Sequence, residues 1–503
     1  MRKFDLLEKL EVYQIDLLIH LSNVGGTATK KDLLHHLDIG NYFLSKLIEG
    51  LITSAKHSNN RFAIEVNKHT ITFHTKPDYS LHTLYNELIC HAPKYKILEE
   101  LLLCGTIDVT RLCEKIGISH STYFRKINEL NALLNEFDLS IQNGHLLGSE
   151  LQVRFFYVSL YLVTDPKHQL KSPHIDPRIY ETVNRIQQSL GSSISIFARK
   201  KLIIYLSLLK RRNAQKNVQD YSDQEPFFNN QSDISGQKKF INALKNTRLF
   251  KKVNKILGAF LVYYSFKMPP NETILLLLFM FGEEIIPSHS HCLKEIDLVE
   301  RYSKFFIRRL NTEFLNFMNN CYPASYLNEA QRATLHYYLN SIGYRHLIFK
   351  GTIDYYWELH YPEWKKSEHA EIVNAFANYL KGCFPGIFVD DTHDIMLITK
   401  YAHAISFYEE CIKTKVSVGI FIESDLLRKK KFTDWWIKYI ESSTFAQAEP
   451  LADNQLYDLI ISNVDCAHLK KRGKHFFVMT NYKEKKDISD LDQLLYDIYS
   501  SNR

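Results

Sequence analysis

The chain has 503 residues, of which 45% are apolar and 24% charged, with 30 Tyr and 31 Phe but only 18 Gly and 13 Pro. This composition excludes a largely disordered protein and disfavours a turn-rich all-β fold, and the length predicts about three to five domains built mainly of helix. The net charge of +7 is compatible with nucleic-acid binding but does not by itself predict it.

The sequence offers no segment suited to a membrane or to export. The longest apolar run, residues 274–281, is far shorter than the roughly 20 residues of a membrane span. The first eight residues carry charges where a signal peptide needs an apolar core. Eight scattered cysteines without a Cys-x-x-Cys pair indicate free thiols. We therefore expect a cytoplasmic protein without a membrane partner, cofactor, disulfide framework or zinc site.

Residues 29–51 have the pattern of a helix-turn-helix unit. A first helix buries Leu33, Leu34 and Leu37, a turn at 38–40 uses the conformational freedom of Gly40, and Asn41 is expected to cap a second helix. Residues 61–74 then alternate apolar and polar side chains around a turn at 67–68, which predicts a hairpin, or wing. The candidate DNA contacts of this unit are Lys30, Lys31, Asn41, Tyr42, Ser45, Lys46, Arg61 and Lys68.

The same pattern recurs at residues 109–134. Gly117 lies at the turn, Ser119 or Ser121 is the expected cap, and a hairpin tip follows at 143–144. We expect the second helix to bury Phe124, Ile127, Leu130 and Leu134 and to turn Arg125, Lys126 and Asn128 outward. Two such units, each with a wing, favour binding of double-stranded promoter DNA over a plain helical bundle. The candidate contacts here are Ser119, His120, Ser121, Thr122, Tyr123, Arg125 and Lys126.

Residues 165–411 are expected to be helical, with a weak internal repeat. Residues 199–209 and 332–342 share Arg, Leu, Tyr and Leu at equal spacing, which predicts two copies of one helical domain. A mobile loop is expected at 213–238. Residues 412–503 alternate strands (416–422, 457–462 and 475–480) with helices (426–441 and 491–499), which predicts a small α/β domain with a parallel sheet.

Residues 118–141 and 146–161 closely resemble the second DNA-binding domain of the Mga/AtxA-like virulence regulators of Gram-positive cocci and bacilli, most specifically in the run Gly148-Ser-Glu-x-Gln-x-Arg-Phe-Phe-Tyr157. The resemblance implies a mainly α, multidomain chain. Its expected domains are winged helix-turn-helix 1 (1–77), winged helix-turn-helix 2 (78–164), two helical-bundle regulation domains of the phosphotransferase system, PTS (165–287 and 288–411), and an enzyme IIB-like α/β domain (412–503).

The resemblance also implies a regulator of virulence or metabolic genes, usually an activator, that forms a homodimer or a higher oligomer. It implies phosphorylation on histidine by PTS phosphocarrier proteins, with His336, His369 and His393 as candidates. The first regulation domain departs from this pattern, because Ile203 aligns with His336 and Glu272 with His393, unless His168 or His174 substitutes.

The sequence disfavours two other kinds of protein. A PTS phosphocarrier or enzyme would need Cys or His after the strand at 416–422, where residues 423–425 offer neither, so we expect no enzyme and assign residues 412–503 to subunit contact. An RNA-binding antiterminator of the same system would begin with an all-β module rather than with helix-turn-helix units. The run Ser288–Cys292 contains two histidines, but we expect no metal there because it lacks remote partners.

Overall fold

Helices account for most of the chain, as the sequence predicts for a mainly α, multidomain protein. The computed structural model describes residues 1, 3–57, 61–77, 79–164, 176–215, 228, 234–323, 327–353, 369–384, 391–412, 415–443, 446–452, 455–480 and 484–501. The chain divides into two compact units, one of residues 1–324 and 332–405 and one of residues 325–331 and 406–503. No helix among the described residues is long and apolar enough to cross a membrane.

The first helix-turn-helix unit folds around a small antiparallel sheet. Its order is α1 (Lys9–Asn23), β1 (Thr27–Thr29), α2 (Lys30–Leu37), α3 (Asn41–His57), β2 (Phe62–Val66) and β3 (Thr70–Thr75). Strand β3 lies between β1 and β2, and β2 with β3 forms the expected wing. Buried leucines on α2 and α3, such as Leu33 and Leu47, pack the helices together.

The second unit repeats this arrangement with a shorter wing. It comprises α4 (Leu81–His91), α5 (Pro93–Cys104), α6 (Val109–Ile116), α7 (His120–Leu134), β4 (Ser140–Gln142), β5 (His145–Leu147) and α8 (Glu150–Thr164). Strands β4 and β5 pair antiparallel through Asn143 and Gly144, whose φ angles of 49° and 74° are those of the two-residue turn that an Asn-Gly pair favours.

A bundle of longer helices follows. These are α9 (Pro177–Leu190), α10 (Ile196–Ala214), α11 (Ile234–Lys245), α12 (Arg248–Tyr263), α13 (Glu272–Gly282), α14 (Cys292–Ser303), α15 (Phe306–Cys321), α16 (Glu329–Ile348), α17 (Ala370–Cys383) and α18 (Asp391–Ile412). Every residue of α13 is buried, so this helix forms the centre of the bundle. The loop expected at 213–238 overlaps α10 and α11 at its ends, and residues 216–227 and 229–233 lie outside the described part.

The start of α9 is fixed by Asp176. This carboxylate accepts hydrogen bonds from the backbone N–H of Arg178 at 2.9 Å, from Lys210 at 2.7 Å and from the hydroxyl of Tyr264 at 2.5 Å. Burial alone would raise the pKa of Asp176, but the hydrogen bonds from Lys210 and Tyr264 outweigh burial and lower it to about 2. Asp176 thus ties α9, α10 and the end of α12 together.

The second compact unit is built on a four-stranded, wholly parallel sheet, as its alternation of strands and helices predicts. Its elements are β6 (Val416–Phe421), α19 (Leu426–Glu441), β7 (Ala446–Pro450), β8 (Tyr457–Ser462), α20 (Ala467–Lys470), β9 (Gly473–Val478) and α21 (Lys485–Ser501). The strand order is β7-β6-β8-β9. Trp436 is fully buried in the core of this unit. Strand β7 was not expected from the sequence.

Candidate nucleic-acid interface

The two helix-turn-helix units share one spacing throughout. Helix α6 begins 79 residues after α2 (Val109 after Lys30), and α7 begins 79 residues after α3 (His120 after Asn41). Thr29 and Asp108 cap the first helices by accepting a backbone N–H. Asp38 and Gly117 end those helices in left-handed conformations. The constant offset indicates that both units hold their second helix, the one that enters the major groove in this motif, in the same way.

Burial along α3 and α7 follows the same register. Four buried positions of α3 have a buried equivalent 79 residues later in α7, and successive positions are three or four residues apart. The pairs are Leu44 with Tyr123, Leu47 with Lys126, Leu51 with Leu130 and Ala55 with Leu134. The same offset makes Lys46 equivalent to Arg125, and both side chains are exposed. Each unit therefore presents one cation at the same position of its second helix.

The first unit exposes nearly all of its expected contact residues. Tyr42 has 85% of its surface exposed, and Lys30 is half-buried. The other expected contacts are all exposed, namely Lys31, Asn41, Ser45, Lys46, Arg61 and Lys68.

Two details of the turn in the first unit differ from the expectation. The left-handed residue is Asp38, with φ of 51°, and not Gly40. Asn41 is the first residue of α3 rather than its cap, because the carbonyl of Gly40 already accepts the N–H groups of Phe43 and Leu44. The Asn41 side chain is therefore left exposed at the start of the helix.

In the second unit Ser119 caps α7 as expected. Its hydroxyl accepts the N–H of Thr122 at 3.2 Å and lies 2.9 Å from the hydroxyl of Ser121. His120 and Ser121 are exposed at the first turn of α7, and Thr122 is half-buried. The first turn of a helix carries free N–H groups and a partial positive charge, which suits a DNA phosphate.

Residues 77–161, which run from α4 to the last turns of α8, match the family of Mga helix-turn-helix domains. This part of the chain is Mga-like. This match indicates a DNA-binding transcription regulator, and it covers the second helix-turn-helix unit only. No curated protein matches the chain.

The outward face expected for α7 of the Mga domain is wrong at two residues. Tyr123 and Lys126 are buried, with 2% and 5% of their surfaces exposed, whereas Phe124, expected inside, is 57% exposed. Tyr123 and Phe124 are adjacent aromatics, and the helix places the first of them toward the core. Lys126 occupies the core position that Leu47 fills in the first unit, where its long aliphatic stem can pack.

The ammonium group of Lys126 is engaged inside the protein. It donates to Glu8 at 2.7 Å and to Glu129 at 2.9 Å, and Lys94 lies 3.4 Å from Glu129 on the other side. Burial alone would lower the pKa of Lys126, but Glu8 and Glu129 outweigh it and raise the pKa. Lys126 therefore links the residue before α1 to the second helix of the Mga domain, and Arg125 is the exposed cation there.

Both wings leave their tips in solvent. Asn67 and Lys68 at the β2–β3 turn are exposed, and so is His145 after the β4–β5 turn. Basic residues around the first wing are also at the surface, since Lys56, Arg61, Lys68 and Lys76 are all exposed. The first wing and the second helices of both units thus offer basic side chains suited to phosphate.

A buried ion cluster, not foreseen from the sequence, joins the Mga domain to the helical bundle. Arg154 of α8 has none of its surface exposed. It donates through two nitrogens to Glu272 at the start of α13, to Glu150 at 2.9 Å and to the hydroxyl of Tyr205 at 3.1 Å. Arg212 pairs with Glu150 from the other side at 2.6 Å. Burial alone would raise the pKa of Glu150, but the two arginines outweigh it and lower the pKa.

The candidate phosphorylation sites have different surroundings. His336 lies on α16 with 40% of its side chain exposed, 4.0 Å from Asp297. Burial, together with the nearby Arg308 and Arg301, lowers its pKa, and Asp297 only partly opposes them. His369 is half-buried just before α17. His393 begins α18, but its side chain, like His168 and His174, lies outside the described residues.

Proposed function

We propose that this Mga-like chain is a regulator that binds double-stranded promoter DNA with both of its helix-turn-helix units. The observation that supports this most directly is the equivalence of Lys46 and Arg125, exposed cations at one position of two helices held in one register. Arg and Lys on such a helix reach phosphates and guanine edges in the major groove. The other expected contacts are exposed or half-buried in both units, except Tyr123 and Lys126.

The test is a set of mobility shifts of the full chain on labelled duplex DNA from the genome of its source. We expect Arg125→Ala and Lys46→Ala each to weaken binding about tenfold, because one good contact is worth about 1–3 kcal/mol. Affinity should fall steeply with salt, and less steeply in the variants. Arg185→Ala is the matched control, because Arg185 is an exposed arginine on α9 paired with Glu181, away from both units. Equal affinity in all four proteins would contradict the proposal.

We further propose that the regulator activates virulence or metabolic genes as a homodimer or higher oligomer, and that residues 412–503 supply subunit contacts. Leu426 and Leu427 begin α19 with 82% and 78% of their surfaces exposed, and such neighbouring apolar side chains are suited to an interface with a second copy. Light scattering of the full chain over a range of concentrations tests this. We expect the double variant L426E/L427E to shift the protein toward monomer, and a monomeric unchanged protein would contradict the proposal.

Phosphorylation of His336 by PTS phosphocarriers is the proposed means of modulation, with His369 and His393 as the other candidates. The exposed part of the His336 side chain and the nearby guanidiniums of Arg301 and Arg308, both paired with Asp297, support this choice, because a phosphate gains charge-assisted hydrogen bonds from arginine. His336→Asp and His336→Ala should move promoter output in opposite directions with folding intact. If neither changes transcription, the switch lies elsewhere.

A further inference from the structure

A cavity of about 380 Å³ lies between the end of α13, the following loop, α14 and α16. One side of it carries three groups of the kind that hold metal ions, Asp297 and Glu300 of α14 and His336 of α16. Each of them offers one ligand atom, and these atoms lie within 4.8 Å of one another. His289 and His291 of the run Ser288–Cys292 line the same cavity. The fold thereby brings together this run and remote partners that the sequence alone could not locate.

The polar groups around this cluster hold it in place without neutralising Glu300. Glu300 is fully buried, and its carboxylate accepts from the hydroxyl of Tyr344 at 2.6 Å and from the amide of Asn340 at 3.5 Å. Within the described part of the chain it forms no ion pair. A buried carboxylate that has only neutral donors is costly unless a cation accompanies it.

The polar network is also incomplete beside the cluster. The Asn340 amide, which lies 3.5 Å from both Glu300 and the Nε2 atom of His336, accepts from Asn311 through its oxygen. The side-chain oxygen of Asn311 is buried and has no hydrogen-bond partner among the described residues. A polar cluster at a cavity wall that is only partly satisfied is where a bound ion with its waters would complete the hydrogen bonding.

We propose that Asp297, Glu300 and His336 bind a divalent first-row transition-metal ion such as Zn²⁺ or Mn²⁺. One imidazole nitrogen with two carboxylate oxygens is a donor set for this class rather than for Ca²⁺ or Mg²⁺. The cavity leaves room for water in the remaining coordination positions. Tyr344 and Asn340 orient Glu300, and Arg301 and Arg308 hold Asp297 from the solvent side, as outer partners of metal ligands commonly do.

The test uses the full chain, freed of metal with a chelator and titrated with Zn²⁺ by calorimetry, and with Co²⁺ by visible absorption. We expect one ion per chain. His336→Ala and Asp297→Asn should weaken binding at least about tenfold, since loss even of outer-shell partners costs about 10–100-fold. Glu300→Gln, which keeps a hydrogen-bond acceptor but removes the charge, should do the same, with circular dichroism to check that each variant folds.

The matched control is His74→Ala, because His74 is an exposed histidine of β3 that lies 3.9 Å from Glu65 and could bind metal adventitiously. It should leave both stoichiometry and affinity unchanged. Absence of binding by the unchanged protein, or binding that survives all three cavity substitutions, would overturn the proposal. The mobility shifts described above can be run in chelator, so failure of the metal site leaves the DNA-binding result separate.

Discussion

Lys126→Met tests whether Lys126 stabilises the fold, whereas its neighbour on α7, Arg125, contacts DNA. Methionine keeps the apolar volume of the lysine stem but removes the charge that binds Glu8 at 2.7 Å and Glu129 at 2.9 Å. A hydrogen bond to a charged group is worth about 1.5–3 kcal/mol. Glu8 and Glu129 are about a third exposed and regain water, so we expect a total loss of about 1–3 kcal/mol of stability.

Substitution of Lys126 and substitution of Arg125 should affect DNA binding differently. Lys126→Met should bind duplex DNA within about twofold of the unchanged protein at a temperature where both are folded, because its ammonium does not reach the surface. Arg125→Ala should bind about tenfold more weakly with an almost unchanged unfolding midpoint, because Arg125 is 66% exposed and 3.9 Å from its nearest carboxylate. Urea denaturation and mobility shifts on both variants supply the two measurements.

The reasoning would be refuted if folded Lys126→Met lost as much DNA affinity as Arg125→Ala. That result would place Lys126 at the DNA and would mean that its pairing with Glu8 opens on binding. A second contradiction would be an unfolding midpoint for Lys126→Met equal to that of the unchanged protein.

Three further substitutions test contacts that stabilise the helical bundle and its packing against the Mga domain. Arg154→Met should destabilise the protein by about 3–5 kcal/mol, because it strands Glu272, which is fully buried, without its partner. Asp176→Asn should cost about 2 kcal/mol at neutral pH, and this difference should vanish as the pH falls from about 4 through about 2, because the folded state lowers the pKa of Asp176. Gly351→Ala should lower the urea midpoint, because φ is 71° and the new methyl would lie 2.7 Å from the ring of Phe137.

Arg154→Met and Gly351→Ala each have a control in the same chain. Arg178→Ala removes an arginine that is 46% exposed and paired with Glu181, and should leave the urea midpoint almost unchanged. Gly382→Ala adds a methyl that meets nothing within 4 Å, and should be neutral or slightly stabilising. If Arg154→Met matched Arg178→Ala in urea denaturation, or Gly351→Ala matched Gly382→Ala, the burial argument for that residue would fail. For Asp176→Asn, a difference in the free energy of unfolding from the unchanged protein that persisted in full at about pH 2 would contradict the argument from the lowered pKa.

The elements of the DNA-binding units were predictable because their signals are local. The caps Thr29 and Ser119, the turn at Gly117 and the Asn-Gly hairpin all act within a few residues. The rotation of α7 was not predictable in the same way. Hydrophobicity favours Phe124 over Tyr123 for the core, although Tyr123 is the buried one. The partner that keeps Lys126 inside, Glu8, lies 118 residues earlier. The constant offset of 79 residues was the available signal, because it aligns Lys126 with Leu47.

Tertiary context explains the other omissions. Strand β7, Ala446–Pro450, lacks β-branched residues and carries a proline, which an edge strand tolerates because one side needs no partner. The ion cluster of Arg154 and Glu272 joins residues 118 positions apart. The cavity beside His336 likewise depends on how α14 and α16 pack. Sequence periodicity gives the faces of such helices but not their neighbours.

Helix α16 connects the cavity to the Mga domain without a break. His336 and Arg345 lie nine residues apart on this helix, about 14 Å along its axis, and Arg345 donates to the carbonyl of Gly351 at 2.7 Å. The ring of Phe349 stacks on Phe155 of α8 with centroids 4.4 Å apart. A ligand or phosphate at His336, as proposed above, would therefore lie on the helix whose end packs against the Mga domain.

That end also reaches the base of the second helix itself. The N–H of Thr352 donates to Glu136 at 3.1 Å, and the amide of Gln152 exchanges hydrogen bonds with the backbone of Lys350 at 2.6 and 3.2 Å. Glu136 lies in the short helical turn that directly follows α7. The segment after α16 therefore contacts the residues that follow α7, whereas Arg125, the cation proposed to contact DNA, is exposed in the first half of α7. The proposed DNA contact thus lies in the first half of α7, and the contacts with the segment after α16 follow its last residue.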